Sequence, residues 1–562
     1  MRNRQIVVIS GKTCSGKSGL ADLLEREFQF RVVRSRKAPH GPGNPEADSG
    51  DVAILTGRGL QADKHTDSTW LLDATQEVLK ALDPAKSVVV DHLSSPAQVA
   101  QFRRVFGEDL IHVHLYASNE TLQDRYARTE GTREDAPSYA EVDHLKDEQD
   151  IDALKNDADV RIYTTRSDSR DTLVRVAARL HLFTPPEIRC VDVLIGGQYG
   201  SEGKGNVVSY LAREYDVIVR VGGPNAGHTV ASPQGPYTYH HLPSGARDVD
   251  ARLLLGPGMT IRLKGLFDEI CDCGIGPDRL FIDPQATIIE DEDVEREGEH
   301  LVSTIASTGS GSGAATARRI LSRGKAAFRM ARDVPALAPY VGTEGNYRGT
   351  TADRLEEAYR KGQSILLEGT QGSGLSLFHG TYPYVTSRDT NVAGCLAEAG
   401  ISPSRVRKIL MVIRPMPIRV GDPDGETGQT SGPLKHETSF DEIARHAGLD
   451  ASALHKAEKT STTKRKRRVG WFEWEQFRKA CALNAPTDIV LTFADYLHSG
   501  NRNARRFEQL TADTIKFVEE LERVSQAPVS LINTRFPREE DGTDDLRSLI
   551  DRRNWTARSH TR

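Results

Sequence analysis

Residues 196–211 read GGQYGSEGKGNVVSYL and follow the apolar run Val191–Ile195, so a buried strand leads into a glycine-rich loop carrying Lys204 and then into a helix. Pro224-Asn225-Ala226-Gly227-His228-Thr229 stands a little further on. Backbone N–H groups, a lysine ammonium and the positive end of a helix can together hold phosphate oxygens. The spacing is not that of a Walker A loop. Gln198 stands five residues before Gly203, and Gly205 follows the lysine where Ser or Thr would meet Mg²⁺. A true Walker A lies near the start of the chain, Gly11-Lys12-Thr13-Cys14-Ser15-Gly16-Lys17-Ser18. It falls between the strand-like Gln5–Ser10 and an amphipathic helical run, Gly19–Phe28. Lys17 is expected at the β/γ-phosphates of a triphosphate and Ser18 at its metal. The apolar run Ser87–Val90 ends in Asp91, either a Walker-B-type acid that helps hold that metal or a turn residue.

The elements that position these loops alternate. Strand-like Ile6–Ile9, Val88–Val90 and Ile111–Leu115 are interleaved with helix-like Leu20–Phe28, Trp70–Leu82 and Thr121–Arg128, the pattern of a parallel sheet with crossover helices. Lys37–Asp51, rich in Gly, Pro and acid, reads as a mobile loop or substrate-binding insert, and Asp135–Asp157 as solvated helix or lid. A closing helix over Asp171–Leu182 leads to Thr184-Pro185-Pro186-Glu187, the linker candidate. Two α/β domains are expected in tandem, 1–185 with a P-loop and 189–562 with the second phosphate loop. A length of 562 residues favours several cores over one. The net charge of -5 excludes the global basicity of a nucleic-acid coat, so nucleic acid is not expected as a partner. The cysteines lack paired spacing, and Cys271-Asp272-Cys273 is too close for a standard zinc site, which points to free thiols in a reducing compartment. No run reaches membrane-spanning length and the chain begins without a signal sequence, so a cytoplasmic protein with no membrane partner is expected.

The first domain resembles the P-loop nucleoside and nucleotide kinases, on its Walker A, on Val88-Val89-Val90-Asp91, and on Leu122-Gln123-Asp124-Arg125-Tyr126-Ala127-Arg128. The resemblance implies that Arg125 and Arg128 reach the transferring phosphates. The alternative for both is a solvated helix face.

From about residue 190 to 540 the chain resembles adenylosuccinate synthetase. The landmarks are Gly197-Gln198-Tyr199-Gly200-Ser201-Glu202-Gly203-Lys204-Gly205, Asn225-Ala226-Gly227-His228-Thr229, His241-Leu242-Pro243-Ser244-Gly245 and Ser307-Thr308-Gly309. Glu368-Gly369-Thr370-Gln371-Gly372, His379-Gly380-Thr381-Tyr382-Pro383-Tyr384-Val385-Thr386, Arg419-Val420-Gly421 and Thr462-Thr463-Lys464-Arg465-Lys466-Arg467-Arg468 complete them, in order. The family joins L-aspartate to C6 of a purine nucleotide monophosphate at the expense of a nucleoside triphosphate, by way of a 6-phosphoryl purine. The resemblance gives the triphosphate to Lys204 with Gly200, Glu202, Gly203 and Gly205. It makes His228 a general acid, puts the Gly227 carbonyl near Mg²⁺, and sets the Gln371 amide at the charged 6-oxygen. Asn225, Thr308, Thr386, Val420 and Arg323 fall to the nucleotide, and Thr462, Thr463, Arg465 and Arg467 to aspartate. Guanidinium forks suit a dicarboxylate. His240 and His241 read as core or surface. Family members commonly form homodimers in which one arginine reaches the neighbouring site.

Two positions depart from the family. Ser201 stands where the family carries an aspartate that takes the purine N1 proton and ligates Mg²⁺, and a hydroxyl can do neither as an anion. Serine leaves room beside the base edge where guanine carries its 2-amino group. The same substitution marks a phage branch of the family, the 2-aminoadenine-pathway enzymes, which succinylate dGMP. The guanine-reading Thr-Lys-x-Asp motif appears as Thr492-Phe493-Ala494-Asp495, which points to ATP or dATP as donor, while Asp495 keeps GTP open. Phe493 reads otherwise as core packing. The alternatives are a synthetase acting on IMP with GTP, or a nucleotide-sensing regulator without turnover.

Overall fold

A computed structural model describes residues 4–34, 69–129, 138–141, 151–185, 187–231, 235–323, 328–341, 349–422, 430–460, 465–535 and 548–558. The segment Lys37–Asp51, most of Asp135–Asp157, Pro186 of the linker, and Thr462 and Thr463 lie outside the described residues. The chain divides into two compact units, Met1–Phe183 and Thr184–Arg562.

In the first unit five parallel strands stand in the spatial order Arg31–Val33, Val88–Leu93, Ile6–Ser10, Leu110–Tyr116, Val160–Tyr163. Alternation along the central strand divides its side chains between two cores. Val7 and Ile9 pack with Leu20, Leu24 and Val176 on one face, and Ile6 and Val8 with Leu71, Val99 and Phe102 on the other. Both faces are covered, so the strand reads as an unbroken apolar run rather than an alternating one. Each such side chain contributes about 1.5–3 kcal/mol by leaving water. The strand stops at Gly11, where a Cβ would stand 2.1 Å from the Leu115 carbonyl oxygen, and the Walker A loop turns into the helix Lys17–Phe28.

The larger unit is built on nine strands in the spatial order Leu280–Ile282, Arg252–Leu255, Val217–Arg220, Ile365–Glu368, Val191–Gly196, Val406–Ile413, Asp488–Leu491, Val529–Asn533 and Leu549–Asp551. All pair in parallel except the last, an antiparallel edge. Val191, Val193 and Ile195 enter one core and Leu194 the other. At the remaining position facing the second core stands a buried carboxylate, Asp192, which receives Arg407 Nε at 2.9 Å and Tyr215 OH at 2.6 Å. The carboxyl ends of five neighbouring strands carry Arg220, Glu368, the loop after Gly196, Arg414 after Ile413, and Phe493 after Leu491. Open parallel sheets place their ligands outside these ends.

Candidate active site of the larger unit

A cavity of about 560 Å³ opens at those strand ends. It brings together Gly200, Ser201, Gly203, Lys204 and Gly205 of the loop with Asn225, Gly227, His228, Thr308, Gln371, Thr386, Val420, Arg467 and Phe493. The loop is braced from within by Glu202. Its carboxylate accepts the Gln198 and Gly200 N–H groups at 3.0 and 2.8 Å and the Lys204 ammonium at 2.6 Å. Lys204 also donates to the Gly200 carbonyl at 3.0 Å, and both charged side chains are fully buried. Gly203, at φ +82°, caps the helix Lys204–Leu211 in a conformation open to glycine.

His228 begins a short strand, His228–Val230, paired with Tyr237–Tyr239. Its Nδ1 meets Glu368 at 2.6 Å, while Nε2 is buried without a hydrogen-bond partner among the described residues. Glu368 also receives Arg220 at 3.0 Å, the Ser244 N–H at 2.8 Å and the Ser244 hydroxyl. Burial pulls His228 down to about 4, and the Arg220 guanidinium adds to the fall. Burial pushes Glu368 up, but Arg220, His228 and Ser244 outweigh it and hold the carboxyl at about 2. The pair therefore rests as carboxylate and neutral imidazole, with Nδ1–H donating. That leaves Nε2 to exchange a proton with a ligand. Gln371 sits at φ +64°, donates its amide to the Thr386 hydroxyl at 2.6 Å, and keeps its Oε1 buried, with no partner among the described residues.

Glu458, also in the lining, accepts Arg414 NH2 at 2.9 Å, Tyr496 OH at 2.5 Å and Arg467 NH1 at 2.7 Å. Burial raises its pKa, but Arg414 and Arg467 together hold it at about 2. Arg414 lies 4.2 Å from the centre of the Phe493 ring and donates to the Ser201 carbonyl at 3.1 Å. Among the described residues the Ser201 hydroxyl makes no hydrogen bond.

Several site residues stand elsewhere. Arg323 is exposed at the end of the helix Ser312–Leu321, its Nε on the Ile320 carbonyl, and does not reach the cavity of its own chain. Asp495 is buried outside the lining, 3.7 Å from Arg502. Arg465 touches the cavity only indirectly, through the Ala306 and Ser307 carbonyls at 3.4 and 3.3 Å. Phe493 both lines the cavity and belongs to a core with Met416, Ile418 and Tyr496. His241 is a core residue held by Glu269 at 3.1 Å.

The larger unit is similar to known proteins over most of its length. The sequence profile of adenylosuccinate synthetase matches residues 193–334 and 328–502. The chain belongs to the adenylosuccinate synthetase family. The adenylosuccinate synthetase of Methanocaldococcus jannaschii is 34% identical over 350 residues, 61% of this chain and 93% of that protein. Among solved structures, the succinoaminodeoxyadenylate synthetase of cyanophage S-2L, bound to dGMP and to dATP as energy donor, is 27% identical with a TM-score of 0.50. That match covers 62% of this chain and 93% of the phage protein. The fully ligated adenylosuccinate synthetase of Plasmodium falciparum shares the fold at 20% identity and a TM-score of 0.53, over 65% of this chain and all of its own. An AAA domain profile matches residues 7–146. The chain is thus an adenylosuccinate-synthetase-type carbon–nitrogen ligase with a kinase-like P-loop unit fused ahead of it.

Family members generally use Mg²⁺. Among the described residues no three His, Cys, Asp or Glu side chains converge to hold a metal. The cavity offers neutral oxygens at Ser201 and Gly227, and the carboxylates that line it are already taken, Glu458 by arginines and Glu297 by the Gly311, Gly313 and Ala314 N–H groups. That donor set fits a Mg²⁺ carried in on phosphates, as is usual for this ion, and does not fit one held by protein alone.

In the first unit Lys17 folds back on the Gly11 and Lys12 carbonyls at 2.7 and 2.8 Å, and Gly16 at φ +104° caps the helix that begins with Lys17 and Ser18. Arg125 donates to the Cys14 carbonyl at 3.3 Å and the Thr164 carbonyl at 2.6 Å, which brings it to the P-loop. Arg128 pairs with Asp124 at 3.0 Å and is solvated. Asp91 lies within the strand Val88–Leu93 rather than beyond its end, 4.0 Å from Arg34. Among the described residues no helix is long and apolar enough to cross a membrane.

Sequence motifs mark Lys204, His228, Glu368 and Gln371 but give Glu368 no role and leave out Arg220, Arg414 and Glu458. Arg220 and Glu368 are joined across 148 residues of chain, and Arg414 and Glu458 across 44. A charged residue closing each of the apolar strands Val217–Arg220 and Ile365–Glu368 is a local signal for the first pair.

Proposed function

We propose that the larger unit joins L-aspartate to dGMP, with ATP or dATP as donor, giving 2-amino-2′-deoxy-N6-succinyladenylate, the nucleoside diphosphate and phosphate. The purine 6-oxygen attacks the γ-phosphorus and the bond to the β-phosphate oxygen breaks. The aspartate amine then adds at C6 and the 6-phosphate leaves. Lys204 and the loop N–H groups hold the triphosphate. An N–H of the Gln371 amide is read as facing the charge that grows at the 6-oxygen, and His228 Nε2, unprotonated at rest, as taking up a proton and relaying it to the leaving oxygens. Thr308 and Thr386 hold the 5′-phosphate, and Arg467 with Arg465, Thr462 and Thr463 takes the carboxylates of aspartate. Mg²⁺, when bound, offsets the charge of the triphosphate.

The observation that carries dGMP over IMP is Ser201, a short neutral side chain with an uncommitted hydroxyl at the family's carboxylate position. The likeness to the phage enzyme bound to dGMP and dATP supports it. For the donor, Asp495 lies outside the cavity lining near Arg502 and Arg414 packs on the Phe493 ring, which supports ATP or dATP over GTP. The exposed Arg323, beside Ile320 and Leu321 at 56% and 76% exposure, suits an arginine that serves a second subunit in a homodimer. The first unit is read as a nucleotide kinase, with Lys17, Ser18 and Arg125 around the transferred phosphate.

Product analysis by mass spectrometry tests the assignment. The protein is given aspartate and Mg²⁺ with dGMP, GMP, IMP or dIMP, each against ATP, dATP and GTP. A succinyl adduct on dGMP is expected. An adduct on IMP alone would overturn the substrate assignment. No adduct with any pair would overturn the ligase reading and leave a nucleotide-binding regulator.

A further inference from the structure

Arg467 is not presented to the cavity by its own strand alone. The strand Arg467–Gly470 ends at it, and its guanidinium is gripped on one side by Glu458 at 2.7 Å, while Nε is buried without a hydrogen-bond partner among the described residues. The grip therefore leaves part of the fork for another acceptor. Glu458 does not act from a free loop. Its second oxygen is fixed by Arg414 and Tyr496, and all three side chains are buried. Arg414 is in turn bolted to the phosphate loop. Its NH1 donates to the Ser201 carbonyl, its backbone N–H to Gln198 Oε1 at 3.0 Å, and its carbonyl accepts Gln198 Nε2 at 2.9 Å. An unbroken run of charge-assisted bonds thus links the phosphate loop to Arg467.

We infer that Glu458 is a positioning residue that presents Arg467 to the incoming aspartate and, through Arg414, ties that arginine to the phosphate loop. This rests on the reading of Arg467 as an aspartate-binding residue. A rigid carboxylate behind a guanidinium fixes its plane in advance, so less side-chain freedom is lost when a second carboxylate docks. It also offsets the charge of the two arginines it joins, which would otherwise repel in a buried wall.

The test is steady-state kinetics on the full chain, with product read by mass spectrometry, for wild type, Glu458→Gln and Glu458→Asp. Glu458→Gln keeps the shape and removes the charge. It is expected to raise the KM for aspartate roughly tenfold or more, the scale of one lost charge-assisted bond. The KM values for dGMP and dATP should stay within about twofold, since Glu458 reaches the phosphate loop only through Arg414, whose bonds to Ser201 and Gln198 do not involve the carboxylate. Glu458→Asp, which keeps the charge but draws it back by one methylene, should recover part of the loss. An unchanged aspartate KM, or equal changes in all three KM values, would overturn the inference. If Glu458→Gln does not fold, Glu458→Asp decides alone. A rise of about threefold or more confined to aspartate supports the inference, and a uniform or absent change overturns it. Wild-type protein that forms no adduct with any nucleotide overturns the functional reading and the inference together. An active wild type with indifferent variants overturns only the inference.

Discussion

Replacing Glu368 by glutamine removes one negative charge from a site where four donors converge. Arg220, whose side chain is fully buried, then keeps its charge without a counter-ion, a loss of about 3–5 kcal/mol for a broken buried pair. The carboxyl itself gives a second measure. Its pKa falls from 4.5 to about 2 on folding, and at 1.36 kcal/mol per unit this is about 3 kcal/mol. A carboxyl depressed in the folded state contributes fully above its unfolded value of 4.5, and the contribution is lost as the pH falls towards 2. It should be about 2 kcal/mol near pH 3.5. Urea unfolding of wild type and Glu368→Gln, followed on the transition of the larger unit, should show a gap of about 3 kcal/mol at pH 7 that narrows below pH 4.5. His228 works in the same direction, because burial keeps it neutral and protonation of the unfolded chain below its ordinary 6.5 weakens the fold. In turnover the variant should lose roughly 10²–10⁴ in kcat, since glutamine no longer fixes the Nδ1–H tautomer. Equal stability at pH 7, or a gap that is the same at pH 7 and pH 3.5, would refute the assignment of Glu368 as the charged anchor.

Ser201→Asp should move the dGMP-to-IMP ratio of kcat/KM towards IMP by roughly a hundredfold, read by competing the two nucleotides in one assay. Gly203→Ala forces φ +82° on an L-residue and sets its Cβ 3.1 Å from the Phe493 ring. It should cost about 1–2 kcal/mol from the backbone alone and raise the triphosphate KM, checked by unfolding and kinetics. Lys17→Ala should reduce aspartate-independent phosphoryl transfer by roughly 10²-fold while succinylation continues, measured by separate product assays on one preparation.

The glycine-rich loops were legible in the sequence because their chemistry is local. Gly16 and Gly203 take left-handed conformations, and the lysines that follow them begin their helices. The fully buried strands were legible from apolar runs bounded by polar residues. Asp192 shows the limit. It stands inside such a run as an apparent flaw, and only the tertiary structure brings Arg407 and Tyr215 to it. The same holds for Glu368 and Glu458, whose partners arrive from other strands and loops. Arg125 and Arg128, one turn apart, could not be told apart in the sequence. The helix Asn119–Thr129 turns the first to the P-loop and the second to water.

The Glu202 carboxylate at 2.6 Å from Lys204 has a further consequence, for competition among anions. The lysine is never a bare cation awaiting whatever phosphate or sulfate diffuses past. A small anion gains only a few contacts from the loop, and must set them against a buried pair that is already satisfied. A nucleoside triphosphate brings a base, a sugar and a row of oxygens, and can meet that threshold. On the proposed reading, inorganic phosphate or sulfate should therefore bind the loop far more weakly than a nucleoside triphosphate, without any group dedicated to excluding them.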